Sequence, residues 1–221
     1  MYIFLIRHTE SEKNIENHFS SMKDDERLTP KGEMEAMEIA KHISDFVARH
    51  NCKCKNIYSA NSTRSIKTAQ KIATFIHATI QIEEGLRSTR PGVLAGTNKD
   101  VIKKTHPEYA QQYYLYEKGV YNVYDFINPE NKEPKQDFER RVNACVERII
   151  SDKSEDIKII IAHRSSITAI LLNFARKYHH YPENFSGHVP LDLGCASIIR
   201  EMNNNWEILK VNEKSNIIKN L

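Results

Sequence analysis

Tyr2-Ile3-Phe4-Leu5-Ile6-Arg7-His8-Thr9-Glu10 begins with five large apolar residues in succession and then changes at once to charge and imidazole. Five apolar side chains without alternation suit a strand buried on both faces of a parallel sheet. In open sheets of that kind ligands bind in the crevice beyond the carboxyl ends of the strands, where Arg7 and His8 would emerge. Imidazole changes protonation state near neutral pH, so His8 qualifies as nucleophile, base or metal ligand, and the neighbouring guanidinium favours an anionic ligand. Taken alone, the pair reads more simply as a surface His and Arg at a strand exit.

Two later segments repeat the design. Ile57-Tyr58-Ser59 reads as a strand end, Asn61-Ser62-Thr63-Arg64 as a capped turn, and Ile66, Ala69, Ile72, Ala73 and Ile76 as the apolar stripe of a helix. Arg64 falls in the first turn of that helix, where its charge opposes the positive end of the helix dipole unless an anion is bound nearby. Ile157 to Ala162 is a near-continuous apolar run ending in His163-Arg164-Ser165-Ser166, and Ile167, Ile170, Leu171 and Phe174 mark a further helix. Two histidines therefore end two expected strands. Elsewhere Thr29 caps and Pro30 opens a helix with apolar positions Met37, Ala40, Ile43 and Val47. Phe138, Val142, Cys145, Val146 and Ile149 form another helical stripe, and Ala196 to Arg200 with Trp206 to Val211 suggest a closing hairpin.

In this order the motifs resemble the histidine phosphatase superfamily, the group that contains phosphoglycerate mutases and many phosphomonoesterases. Arg7-His8 matches the family's Arg-His-Gly, Asn14 the asparagine that follows it, and Leu28-Thr29-Pro30-Lys31-Gly32 a Leu-Thr-x-x-Gly helix entry. Ser59 to Arg64 matches Ser-x-x-x-x-Arg, with Thr68-Ala69-Gln70 after it; Ala162-His163 matches the Gly-His-Gly region, and Asn212 fits a family ending. The resemblance implies an α/β/α three-layer sandwich with a mainly parallel sheet, as one domain over 1–221 with a helical cap at about 97–135. It also implies that His8 attacks phosphorus to form a phosphohistidine while Arg7, Arg64, His163 and Asn14 hold the phosphoryl oxygens. No cofactor is implied. Phosphoryl transfer asks a protein mainly for positioning and charge, which two guanidiniums supply without a metal.

The departures from the pattern matter as much. Family members carry Leu-x-Glu, the glutamate acting as proton donor to the leaving group; the corresponding Leu86-Arg87-Ser88 places Ser88 there, and serine cannot serve as that acid. A general acid typically contributes about 100- to 10,000-fold. Glu83 or Glu84 is the expected substitute, combined with a leaving group acidic enough to depart unprotonated, as in an anhydride or aryl phosphate. Thr9 in place of a glycine, and Arg164-Ser165-Ser166 in place of a glycine-rich turn, suggest a narrower and more basic pocket, in which Arg87, Arg90 and Arg164 bind a second anionic group. The competing expectation is a weakened member that only binds phosphorylated ligands or proteins, which Ser88 supports and the retention of His8 opposes. A phosphomutase would need to shield the phosphoenzyme from water and hold two phosphate positions, and nothing in the cap sequence indicates that.

Composition bounds the remainder. The chain has 221 residues, 40% of them hydrophobic and 28% charged, enough for a substantial single core. A net charge of +3, without a basic stripe interleaved with aromatics, points to a small phosphorylated substrate and no nucleic acid. The opening apolar run is too short for a signal peptide or membrane span, so no membrane association and a cytoplasmic location are expected; no oligomeric state is implied. Cys52, Cys54, Cys145 and Cys195 lack the spacing of a zinc or redox pair and read as reduced thiols. His179-His180, at a helix end, is assigned no function. The segment from about Asn98 to Glu133 holds Tyr109, Tyr113, Tyr114, Tyr116, Tyr121 and Tyr124 together with Pro107, Pro129 and Pro134, consistent with a small helical subdomain over the pocket.

Overall fold

The opening run forms β1 (Tyr2–Arg7), which lies between β4 (Ile157–Ala162), its parallel neighbour, and β5 (Ala196–Met202), its antiparallel one. β2 (Asn56–Ser59) pairs in parallel with β4 and with β3 (Thr79–Ile82), and β6 (Asn205–Glu213) closes the other edge against β5. The sheet is thus six-stranded in the order β3-β2-β4-β1-β5-β6, parallel except for the final hairpin. This computed structural model describes residues 1–16, 18–19, 27–117, 131–179, 189–203 and 205–221, and the side chains of all of them except 116, 117 and 220. Tyr121, Tyr124, Pro129, His180 and the side chain of Tyr116 lie outside the described residues.

The unbroken apolar runs have the expected cause, since both faces of the central strands are covered. Ile3 and Leu5 of β1 face one way and pack with α6 (Lys135–Ser151) and α7 (Arg164–Tyr178); Phe4 and Ile6 face the other way and pack with α2 (Pro30–His50) and α3 (Thr63–Ile76). Alternate residues of β4 divide likewise, and the stripes Phe138 to Ile149 and Ile167 to Phe174 are all buried as their helical spacing predicts. Each such Ile or Phe, taken fully out of water, contributes about 1.5–3 kcal/mol before chain entropy is counted. Thr29 and Ser62 cap α2 and α3 by accepting the amides of Gly32 and Ser65, so both helix starts fall where the capping residues place them. Among the described residues no helix is long and apolar enough to cross a membrane.

Three tethers bring loops to the carboxyl end of β1. A β-carbon on Gly32 would sit 1.9 Å from the Glu10 carbonyl oxygen, so only glycine lets the start of α2 press against the loop that follows His8. Gly194, at φ +68°, donates its amide to the carbonyls of Arg7 and His8. Asn212 grips Asp192 from both sides, accepting its amide through Oδ1 at 2.6 Å and donating from Nδ2 to its carboxylate at 3.1 Å. The short helices α1 (Glu12–Ile15), α4 (Lys99–Thr105) and α5 (Pro107–Glu117) complete the described α-helices, and Leu94, Ile102 and Tyr109 form a small separate core against Phe19 and Tyr113. Burial pushes the Cys54 thiol up to about 12 and that of Cys145 up to about 11, so neither forms a reactive thiolate near neutral pH.

Candidate active site

His8 sits at the carboxyl end of β1, 3% exposed, with its two ring nitrogens in different environments. Nδ1 lies 2.9 Å from the Thr9 carbonyl oxygen, which can only accept, so this nitrogen carries the proton. Nε2 accepts from Arg64 Nε at 3.3 Å and therefore presents a lone pair. His163, at the end of β4, faces His8 edge-on with ring centroids 5.3 Å apart. Its Nδ1 accepts from the Arg64 guanidinium at 3.4 Å, which leaves Nε2–H to donate to Ser62 Oγ at 3.3 Å. Burial first, and then the charges of Arg64, His163 and Arg7, hold His8 well below the ordinary imidazole value of 6.5; burial, Arg64 and Arg7 do the same to His163. Both rings are therefore held neutral at pH 7, and the Nε2 lone pair of His8 is available without deprotonation.

These residues line one cavity of about 450 Å³. Arg7, Asn14, Arg164 and Ser88 share its wall. Arg7 also donates to the Leu191 carbonyl at 2.6 Å, and Asn14 Oδ1 accepts from the Ser11 amide and hydroxyl at 3.0 and 2.8 Å, which fixes both side chains against their loops. Four elements far apart in sequence thus converge on one point, as the strand-end motifs imply.

Over residues 3–214 the sequence matches the profile of the Histidine phosphatase superfamily (branch 1). The chain belongs to this superfamily. An Escherichia coli protein described as a probable phosphoglycerate mutase is 29% identical over 147 residues, 66% of this chain and 62% of the relative, so the match spans less than two thirds of the relative's length. Among solved structures, the alpha-ribazole phosphatase from Shigella flexneri superposes with a TM-score of 0.70 at 20% identity over 96% of each chain. A mycobacterial glucosyl-3-phosphoglycerate phosphatase in complex with VO3 gives 0.77 at 15% identity, covering 96% of this chain and 99% of that one. At these identities the likeness is one of fold.

The geometry of this superfamily member corrects several expectations about its site. Neither Glu83 nor Glu84 is part of the cavity wall. The 3-10 turn at Glu84–Leu86 directs Glu83 toward Arg148 and Cys145 of α6, while Glu84 binds Asn61 and, at 2.9 Å, Arg87 Nε. Exchanging both for Gln should accordingly leave p-nitrophenyl phosphate turnover within about threefold, since surface and peripheral ion pairs contribute little; steady-state rates on the folded double variant measure this. Arg87 is consumed by Glu133, whose buried carboxylate accepts from it at 2.9 Å and from Arg141 at 2.8 Å. Burial opposes ionisation of Glu133, but the hydrogen bonds from Arg141 and Arg87 prevail and hold it below the ordinary carboxylate value. Arg90 is exposed, outside the cavity, and joins this network through its backbone, its amide donating to the Glu133 carboxylate and its carbonyl accepting from the Glu133 amide. Thr9 does not narrow the pocket either: it is fully buried, and both its amide and its hydroxyl lie 3.2 Å from Thr68 Oγ1.

Ser88 does stand in the wall, 3.1 Å from Ser165 Oγ. Its stretch is held to α7 by Ser166, which donates to the carbonyls of Leu86 and Arg87, and to α6 by Arg141, which donates to those of Gly85 and Arg87. The wall also contains residues that no motif announced. Lys13 on α1, Lys99 at the start of α4, Lys132 ahead of α6, Tyr109, Tyr113 and Asp192 all contribute. Tyrosine enrichment marked two of them; the lysines lie in unremarkable polar stretches, and Asp192 stands alone between Leu191 and Leu193.

Proposed function

We propose that the protein hydrolyses a small phosphorylated substrate through a phosphohistidine on His8, without a metal ion. The observation that carries this is the His8 ring itself, buried, neutral, and held with Nδ1–H on the Thr9 carbonyl so that the Nε2 lone pair meets the cavity beside Arg64. A phosphoryl group seated there would accept from the guanidiniums of Arg7, Arg64 and Arg164 and from Asn14, and Nε2 would attack phosphorus in line with the leaving oxygen. Its negative charge also offsets the mutual repulsion of the cations around the two imidazoles. Water then hydrolyses the phosphohistidine and restores the neutral ring. The phosphatases among the similar structures support a small phosphorylated molecule as the substrate.

Turnover of p-nitrophenyl phosphate in the presence of EDTA tests this proposal, because that aryl leaving group scarcely needs an acid. The expected result is hydrolysis at a rate indifferent to the chelator. A rate abolished by EDTA would contradict the metal-free mechanism, and no turnover would point to a phosphate-binding role instead.

A further inference from the structure

Arg7, His8, Arg64 and His163 reach the cavity from strand ends and the start of α3, whereas Ser88, Thr89 and Pro91 reach it from the loop after the turn at Glu84–Leu86. Residues 87–91 form neither strand nor helix, so their placement depends on what other elements do to them. Glu133 is the hub of that support. Its side chain is 8% exposed, and its carboxylate accepts from both terminal nitrogens of Arg87, at 3.1 and 2.9 Å. It accepts again from Nε and Nη2 of Arg141 on α6, at 2.9 and 2.8 Å. The Arg90 amide donates to the same carboxylate at 3.3 Å, and the Glu133 amide donates back to the Arg90 carbonyl at 3.3 Å. Arg141 meanwhile donates from Nη1 to the carbonyls of Gly85 and Arg87, at 2.8 and 3.2 Å. The loop is thus pinned to α6 on both sides of Ser88. Paired charge-assisted hydrogen bonds of this kind fix orientation as well as distance.

We propose, resting on the phosphatase reading above, that Glu133 is a positioning residue: it fixes residues 88–91 as the wall against which the leaving group packs, and so sets which leaving groups are accepted. Attack by His8 Nε2 in line with the leaving oxygen directs the rest of the substrate away from His8, toward wall that the phosphoryl group does not occupy. Ser88, Thr89 and Pro91 belong to that wall. Glu133 acts on it only through Arg87, Arg141 and the Arg90 backbone, and Lys132, beside it in the chain, lines the same cavity. Removing the carboxylate leaves two guanidiniums facing each other without their common partner, which drives the loop off α6. Contacts to the leaving group are then lost in the ground state and the transition state alike, so KM rises while kcat changes less. Inorganic phosphate has no leaving group and is indifferent to this wall.

The test compares KM for p-nitrophenyl phosphate with the inhibition constant of inorganic phosphate in wild type and Glu133→Gln. Glutamine keeps the size of the side chain but turns one acceptor oxygen into a donor that faces the guanidiniums. The expected result is a rise of about tenfold in the ratio of KM to the phosphate inhibition constant, with circular dichroism confirming the fold. Arg141→Lys is the second variant. It keeps the positive charge but not the fork that joins Glu133 to the loop carbonyls, and it should move the ratio in the same direction. It carries the comparison by itself where Glu133→Gln does not fold. A ratio unchanged in folded variants, whether both constants stay put or rise together, would overturn this proposal and leave the phosphatase reading standing. A fall in kcat with KM unmoved would overturn it as well. Absence of turnover in the wild type would overturn both.

Discussion

Replacing His8 by Ala lowers p-nitrophenyl phosphate turnover by about four orders of magnitude or more, to the background rate. The size of the effect follows from what the ring does. It is proposed as the atom that bonds to phosphorus, so its loss removes the covalent route instead of weakening one contact. No neighbour can replace it. His163 holds its Nε2–H on Ser62 and its Nδ1 toward Arg64, with its ring centroid 5.3 Å from that of His8, so it does not take the position from which Nε2 of His8 would attack. The side chain of His8 is buried at the end of a central strand, and the flanking Ile6 and Thr9 are fully buried too. A stability loss is therefore expected with the substitution, and the rate must be referred to the folded fraction. Residual activity within about tenfold of wild type in folded His8→Ala protein would remove the nucleophile assignment.

The second large effect is that of Arg64→Ala, expected to lower kcat by about 100- to 1,000-fold, the usual consequence of deleting one fixed donor to a developing oxyanion. Arg64 touches both rings, donating to His8 Nε2 and to His163 Nδ1, so it orients the nucleophile as well as offering charge to the phosphoryl oxygens. Lysine in its place should recover little, because a point charge cannot make both contacts from one planar fork. A pH profile separates these roles. After burial, Arg64 is the largest influence that depresses the His8 pKa. Without it, imidazolium is less disfavoured and the pKa rises toward its ordinary value of 6.5. Since protonated His8 is not nucleophilic, the acid limb of kcat/KM then moves to higher pH. A fall in kcat with an unmoved acid limb would assign Arg64 to oxyanion binding alone.

The parts of this molecule that were legible in the sequence are those whose signal is local. β1 and β4 announce themselves because a strand covered on both faces must be apolar throughout, and their ends are marked by the abrupt change to Arg7-His8 and His163-Arg164. Thr29-Pro30 and Ser62 mark helix starts by capping chemistry that lies within four residues. The expectation for Glu83 and Glu84 failed because chain proximity to Ser88 says nothing of side-chain direction, which the turn at Glu84–Leu86 and the pull of Arg148 and Arg87 decide. Arg87 was misread for a related reason. Its partner Glu133 lies 46 positions away, and a guanidinium paired with a buried carboxylate looks in sequence like one free for ligand. Lys13, Lys99, Lys132 and Asp192 meet only when the sheet, α4 and the loop before α6 are assembled, so no window of sequence contains them together.

The central claim is that His8 becomes covalently phosphorylated during turnover. Quenching wild-type enzyme in alkali during p-nitrophenyl phosphate hydrolysis, where a phosphoramidate survives, and locating the adduct by intact and peptide mass spectrometry tests it most directly. The account predicts one phosphoryl group on the peptide carrying His8, lost on acid treatment and absent from His8→Ala. Turnover with no adduct under conditions that trap the intermediate, or an adduct on any other residue, would contradict it.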